Sequence, residues 1–398
     1  MTAAASTATP EARRNERTTL ATCGATHALH DGFGDGMLLF LPLWQAEMGL
    51  TLAETGALRA MSSIAMSALQ LPGSFLSERI GGRITLAAGT ILLGLGFVCA
   101  SFSTGYTMLA LSILLTGAGA SVQHALSSSL ISHSAEGPRL RVALGTYNFL
   151  GDVGKVAVPA LAAVVISIWS WRGAMGGLGL IGIAFGVAIF FLLRTAGASI
   201  ATAPAREAVG GGTASNWPRF CLLAAISFVD SMGRYGLLTL LPFVLIAKGA
   251  DISTVGLALS LVFAGGATGK FACGVIAIRL GVIGTVLMTE TLTAIMIAAL
   301  GVLPLSAVLP LLPLLGLTLN GTSSVLYGTV PETVARAKLA RAFGVFYTMV
   351  SAGTAIAPFL YGHLGDRLGV QNALYIVAAV VLLILPMALS LNLIKASR

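Results

Sequence analysis

The sequence predicts an all-α membrane protein in which twelve transmembrane helices form two pseudo-symmetric halves of six. Three observations lead there: a scarcity of charge, a regular recurrence of span-length apolar runs, and a repeat at an offset near 200 residues. Of 398 residues, 56% are hydrophobic and 10% charged, with a mean hydropathy of +0.91. A soluble domain carries about 25% charged residues, because water must wet its surface. Most of this chain's surface therefore faces something other than water. The 48 glycines fit the same solvent, since small residues let membrane helices approach closely.

A helix needs about 20 mostly apolar residues to cross roughly 30 Å of hydrocarbon. Such runs place helices near 19–46, 54–77, 84–103, 107–133, 141–168 and 174–193, then near 219–247, 253–277, 283–303, 307–330, 340–363 and 371–394. Residues 1–18 read as a polar tail, 194–218 as an aqueous linker rich in Ala, Gly, Thr and Pro, and 395–398 as a short terminus. The halves are then 19–193 and 219–394. The first run is too long for a signal peptide and contains His27, Asp31 and Asp35, so it reads as a retained helix.

Charge distribution sets the expected orientation. Twelve spans put both termini on one side, and sixteen of the 23 Lys and Arg residues fall there. Only Arg172, Lys248 and Arg367 fall on the other, which makes the termini cytoplasmic and the membrane the inner one. The remaining cations, Arg59, Lys155, Arg234 and Lys270, lie inside spans. Because the basic residues sit in short gaps between apolar runs, the net charge of +8 does not point to a nucleic-acid partner. Cys23, Cys99, Cys221 and Cys273 lack metal-ligand spacing. There is no P-loop, HExxH or nucleophile elbow. The expectation is a non-enzyme without metal or cofactor, acting as a monomer on a small molecule and protons in a lipid bilayer.

The halves repeat. A shift of 200 lays Gly36-Met-Leu-Leu-Phe-Leu-Pro42 over Gly236-Leu-Leu-Thr-Leu-Leu-Pro242, Gly56 over Gly256, and Arg79-Ile80-Gly81 over Arg279-Leu280-Gly281; a shift of 199 lays Pro159 over Pro358. Many secondary transporters are built from such repeats, with the substrate site near the midplane between them.

On these features the whole chain resembles the major facilitator superfamily. That family's loop between helices two and three reads G-x-x-x-D-R-x-G-R-[RK], and here it is Ser74-Phe-Leu-Ser-Glu78-Arg79-Ile-Gly81-Gly-Arg83. The repeat copy keeps Arg279 and Gly281 but has Ile278 for the acid. Glu78, Arg79, Arg83 and Arg279 are the expected conformational latch, a carboxylate meeting a helix N-terminus and arginines meeting cytoplasmic loops. Gly362-x-x-x-Asp366-Arg367-x-Gly369 matches more literally, but span counting puts it on the opposite side, where it reads as a chance match. Within the superfamily, Thr26-His27-Ala-Leu-His30-Asp31, Gln123-His124, and Gly151-Asp-Val-Gly154 running on to Pro159 are similar to the fosmidomycin-resistance group of drug exporters.

Ionisable groups at membrane depth cost several kcal/mol and mark candidate sites. His27, Asp31 and Asp35 recur at spacing four on one helix face, with His30 beside them, and form the candidate proton-coupling group. Asp35 has a second reading, a structural pair with Arg59. Asp152 and Lys155 either neutralise each other or meet an anionic substrate. Asp230 and Arg234, at spacing four, either pair or bind substrate, and an arginine grips carboxylate or phosphonate with two parallel bonds. Lys270 and Glu290 lie at matching depths and read as an inter-helix pair. His124, Gln123, Asn320 and Tyr327 complete the candidate substrate-binding set, because helices one, four, seven and ten line the cavity in the resembled superfamily.

The cavity so inferred holds four cations and four carboxylates. That balance argues for an anionic or zwitterionic substrate rather than a lipophilic cation. The leading expectation is proton-coupled export, by antiport, of a small anionic, zwitterionic or amphiphilic drug or metabolite. Proton-coupled uptake of an organic anion is the alternative, and a non-transporting membrane receptor a third.

Overall fold

A computed structural model describes residues 10–135, 137–195, 215–335 and 338–393 of the chain. The expected tail enters it only from Pro10, the expected linker only at its two ends, and 395–398 lies outside.

Helix α1 runs Pro10–Gly36 and continues, through the 3₁₀ turn Met37–Leu39, as Leu41–Met48. Pro10 opens it nine residues before the apolar run, where a missing N–H costs nothing, and Pro42 interrupts its backbone ladder. The succession continues with α2 (Leu52–Ile80), α3 (Gly82–Ser101), α4 (Tyr106–Ala120 and Gln123–Ser134), α5 (Gly137–Ile168) and α6 (Trp171–Thr195). The second half holds α7 (Trp217–Ala247), α8 and α9 as the two arms of Ile252–Val302, α10 (Leu305–Thr333), α11 (Leu339–Leu368) and α12 (Val370–Leu382 and Ile384–Leu393). Gly281, at φ 71° and ψ 170°, separates α8 from α9.

Among the described residues nine helices are long and apolar enough to cross a membrane, one being the 51-residue pair α8–α9. Counting its arms separately and adding α1 and α2, which are more polar, the bundle has the twelve expected spans.

The repeat is visible in the turns. Gly49 and Gly249 end α1 and α7 with φ of 65° and 87°, and Gly81 and Gly281 break α2–α3 and α8–α9 with φ of 91° and 71°. Side chains with a Cβ rarely adopt that backbone, so glycine recurs at the 200-residue offset. Thr51 and Asp251 cap α2 and α8 by accepting the N–H of Glu54 and Thr254. At the same end of the bundle, Arg172 donates to the Ser101 and Ser103 carbonyls, and Lys248 to those of Gly301 and Leu303. Cations thus satisfy the last carbonyls of α3 and α9, where the helix dipoles are negative. These two residues, counted in the sequence as charges outside the membrane, have a structural task there.

Packing differs at the two ends. Towards the end opposite the termini, one core joins both halves: Leu38, Leu39, Phe40 and Trp44 of α1 belong with Leu237, Leu240 and Leu241 of α7. Towards the terminal end there are two separate cores. Leu86, Leu126 and Ile131 belong to the first half, and Phe220, Leu326 and Phe346 to the second. The halves are thus sealed at the opposite end and apart at the terminal end.

Candidate substrate and proton site

Two glycines bring α5 onto α1. A methyl group at Gly154 would lie 1.9 Å from the Ala28 carbonyl oxygen, and one at Gly151 would lie 2.6 Å from the His27 ring. Only glycine permits this approach, and it places Asp152 and Lys155 within reach of the acids of α1.

His27 is the fixed point. Its Nδ1 lies 2.9 Å from the Tyr147 carbonyl oxygen, and its ring stacks on Tyr147 at 4.2 Å. A carbonyl only accepts, so Nδ1 carries a hydrogen. The other nitrogen, Nε2, lies 3.2 Å from Oδ2 of Asp31, whose carboxylate also only accepts. That contact becomes a hydrogen bond when a second proton sits on His27 or on Asp31.

Asp31 also meets Lys155 Nζ at 3.1 Å and His124 Nε2 at 3.5 Å. Lys155 reaches on to Asp35 at 3.6 Å, and Asp35 meets Arg59 at 3.3 Å. The Arg59 guanidinium lies over the Tyr235 ring of the other half at 5.8 Å. An unbroken chain of charge therefore runs His27–Asp31–Lys155–Asp35–Arg59. Three potential ligand atoms from His27, Asp31 and His124 lie within 4.8 Å of one another. The Lys155 ammonium on Asp31 opposes a divalent cation there.

Across the halves, Lys270 of α8 donates to Asp152 of α5 at 2.6 Å. Two expected pairings are thereby corrected. Asp152 does not pair with Lys155, which turns to α1, and Lys270 does not pair with Glu290, which lies buried elsewhere in the second half. Asp230 and Arg234 do pair, at 2.5 Å. A cavity of about 90 Å³ between the halves is lined by Asp35, Asp152, Lys155, Arg234, Tyr235, Lys270 and Asn320. Three cations converge on it, and Asn320 presses against Gly266 on its wall.

Other expected residues stand apart. His30 hydrogen-bonds Thr90 of α3 at 2.9 Å, a buried contact away from the acids. Gln123 donates to the Tyr147 hydroxyl at 3.0 Å, supporting the ring that carries His27. Tyr327 lies in an aromatic group with Phe343, Phe346 and Tyr347. Glu78, Arg79 and Arg279 are exposed and, among the described residues, no hydrogen bond or ion pair joins them to another side chain; Arg83 lies over Phe190 of its own half at 4.6 Å.

The unexpected residue is Asp366. From α11 its Oδ1 and Oδ2 accept the N–H groups of Leu52 and Ala53, each at 2.8 Å. The segment read as a chance match is thus a working cap that ties the second half to the first. Its signal was present, an acid–arginine motif beside a helix start, but span counting placed it on the side where no latch was sought. Close contacts reinforce this seal. A methyl at Gly56 would lie 2.0 Å from the Pro358 carbonyl oxygen, and one at Gly256 would lie 2.3 Å from the Ala163 side chain and 2.9 Å from the Pro159 carbonyl oxygen.

Known proteins share both sequence and fold. Rat (Rattus norvegicus) monocarboxylate transporter 13 is 27% identical over 320 residues, covering 78% of this chain and 73% of that protein. A probable sulfoacetate transporter of Cupriavidus necator is 23% identical over 86% of this chain and 85% of its own. The fosmidomycin resistance protein of Escherichia coli is 29% identical over 38% of each chain. Among solved structures, an inward-facing, unoccupied bacterial homologue of the human lysosomal transporter Spinster superposes with a TM-score of 0.80 at 13% identity, over 97% of this chain and 98% of that one. The Major Facilitator Superfamily profile matches residues 26–222 and 223–396, and the chain belongs to that family of membrane transporters.

Proposed function

We propose that this transporter carries a small organic monoanion together with a proton. The observation that carries the reading is that Lys155, Arg234 and Lys270, the three cations of the central cavity, are each held by a carboxylate. An anion entering the cavity competes with those carboxylates for the same cations. Protonation of Asp31 frees Lys155 for the anion, so proton and anion favour each other's binding, which is the linkage a symporter needs. Charge balance supports the same reading. Four cations and four acids are neutral together, one added proton makes the site +1, and one monoanion restores neutrality.

In this reading Asp31 with His27 holds the proton, and Lys155, Arg234 and Lys270 hold the anion, with Asn320 and His124 beside them. The small cavity, about 90 Å³, favours a compact carboxylate or sulfonate. The relatives named for monocarboxylates and sulfoacetate support that class. The terminal end, with its sixteen cations, faces the cytoplasm of a bacterial-type inner membrane, so the cavity opens inward and the seal at Asp366 faces out.

Export in exchange for protons remains the second reading. It has the match to fosmidomycin resistance protein and the aromatic group at Tyr327 in its favour, and it demands the opposite sign of linkage. The deciding experiment is proton flux in liposomes on addition of short monocarboxylates, sulfonates or phosphonates, with Asp31→Asn beside the wild type. Protons entering with the anion, and lost in Asp31→Asn, support symport. Protons moving against the anion establish exchange, and undiminished flux in Asp31→Asn removes the proton from α1.

A further inference from the structure

Glu290 of α9 is 2% exposed, lies in a membrane span and lines no cavity of the central site. One carboxyl oxygen, Oε1, is buried without a hydrogen-bond partner. The other side of the carboxyl contacts the Thr322 hydroxyl of α10. Thr322 in turn donates to Thr289 Oγ at 2.7 Å, and Thr289 donates to the Thr285 carbonyl at 2.9 Å. The carboxyl thus has one hydroxyl contact and one unpaired oxygen, too few partners for a buried charge, and a proton on it removes that charge.

The charged groups within electrostatic reach of Glu290 are Asp230 and Arg234 of α7. Its own helix and α10 present to this region the hydroxyls of Thr289, Thr293, Thr318 and Thr322. One arginine thus serves two carboxyls in a water-poor interior. An uncompensated buried charge is strongly destabilising, so the unit is neutral only with one proton aboard. Arg234 is committed to Asp230 at 2.5 Å, while its own Nε is buried and unpaired. The arginine has one free donor and the acid one free acceptor.

We infer that Glu290 is a second proton-binding residue, separate from α1, and the alternative partner of Arg234 when Asp230 or a cavity anion changes its hold on the guanidinium. The proton passes from Glu290 to Asp230 as Arg234 turns from Asp230 to Glu290, and returns as Arg234 goes back, so the unit stays neutral in both arrangements. The inference stands without the symport reading, because it concerns a proton held in the protein free of any substrate.

The test is infrared spectroscopy of the purified, substrate-free transporter in lipid. At neutral pH the wild type is expected to show a protonated-carboxyl C=O band that is absent in Glu290→Gln and that fades as pH is raised. Glu290→Gln, isosteric with the neutral acid, is expected to keep the wild-type thermal midpoint at neutral pH, which also shows that it folds. Glu290→Asp, which keeps the acid, is expected to retain a titrating band. An unchanged acid band in Glu290→Gln with loss of carboxylate absorption instead would overturn the assignment. So would a Glu290 band that does not titrate in the wild type, since a fixed acid binds and releases nothing.

Discussion

Asp366 of α11 caps the helix that begins at Leu52, a residue 314 positions away in the other half, with its Oδ1 2.8 Å from the Leu52 N–H. The second oxygen takes the next N–H, of Ala53. Two of the donors that a helix start leaves unpaired are therefore satisfied by the opposite half. The bond exists only while the halves touch at this end, and the dipole of α2 adds to it.

Removing that carboxylate should loosen the seal. Asp366→Ala is expected to cost about 1 kcal/mol, the usual worth of a helix cap, paid only by the arrangement closed at this end. Spin labels at the exposed Thr104, between α3 and α4, and Ser306, in the first turn of α10, should show a larger population at long distance, with Asp366→Asn in between. An unchanged distance distribution in Asp366→Ala would mean that the cap does not hold the halves together.

Bulk at the two glycine contacts should act more strongly. Leu at Gly56 and Gly256 cannot fit against Pro358 and Pro159 while the halves are closed. The double variant is expected to fold, insert, and expose a cysteine introduced in place of Asn320, on the cavity wall, to a membrane-impermeant thiol reagent from the sealed end. Reagent accessibility equal to that of the wild type would show that the helices accommodate the bulk by another route.

The ion chain should be strongly non-additive. Lys155→Met leaves Asp31 with only histidines beside it, and stranding a buried charge costs about 3–5 kcal/mol. Adding Asp31→Asn removes the stranded charge and should recover a large part of that loss, giving a coupling of about 0.5–3 kcal/mol. Denaturation midpoints of the four proteins in one detergent test this, and additive losses would mean that the pair is not energetically coupled.

Beyond the bundle end, Glu47 accepts hydrogen bonds from the Trp171 indole and the Arg172 guanidinium, the latter at 2.5 Å. The Trp171 bond and then the Arg172 contact hold its carboxyl below the usual carboxylate range. A lowered value means the contribution is present above the unfolded carboxylate's pKa and lost as pH falls through the folded one. Acid should therefore loosen the junction of α1 and α6, and Glu47→Gln should abolish that acid dependence. The Trp171 fluorescence signal against pH reads it directly, and identical titrations in both proteins would discount the contact.

Much of the architecture was legible because bilayer thickness fixes helix length. Nearly every span followed from apolar run length, and the 200-residue repeat paired Gly81 with Gly281, whereas the turns at Gly49 and Gly249 came only with the structure. Pairing within the membrane was less legible. Counting residues gives depth and spacing; depth matched Lys270 with Glu290, and spacing on one helix offered Asp152 with Lys155 as one of two readings. Azimuth decides the partner. Lys270 faces α5, Glu290 faces the threonines between α9 and α10, and the glycine approach of α5 to α1 gives Lys155 two acids instead of one. His30 sat one step off the acidic face and turned to Thr90 for the same reason. Asp366 was missed because the search for a latch followed the expected side of the membrane rather than the helix start it serves.

The bond between Asp31 and Lys155 also sets an order of events during synthesis. The acids of α1 leave the ribosome well over a hundred residues before the lysine that neutralises them. Until α5 emerges, α1 is a poor tenant of lipid and must wait beside the insertion machinery. A chain truncated after α4 should therefore leave its first helix loosely anchored and open to quality-control proteolysis, whereas one ending after α5 should hold it. The ion chain at the centre of the transporter is in this sense also a checkpoint on its own assembly.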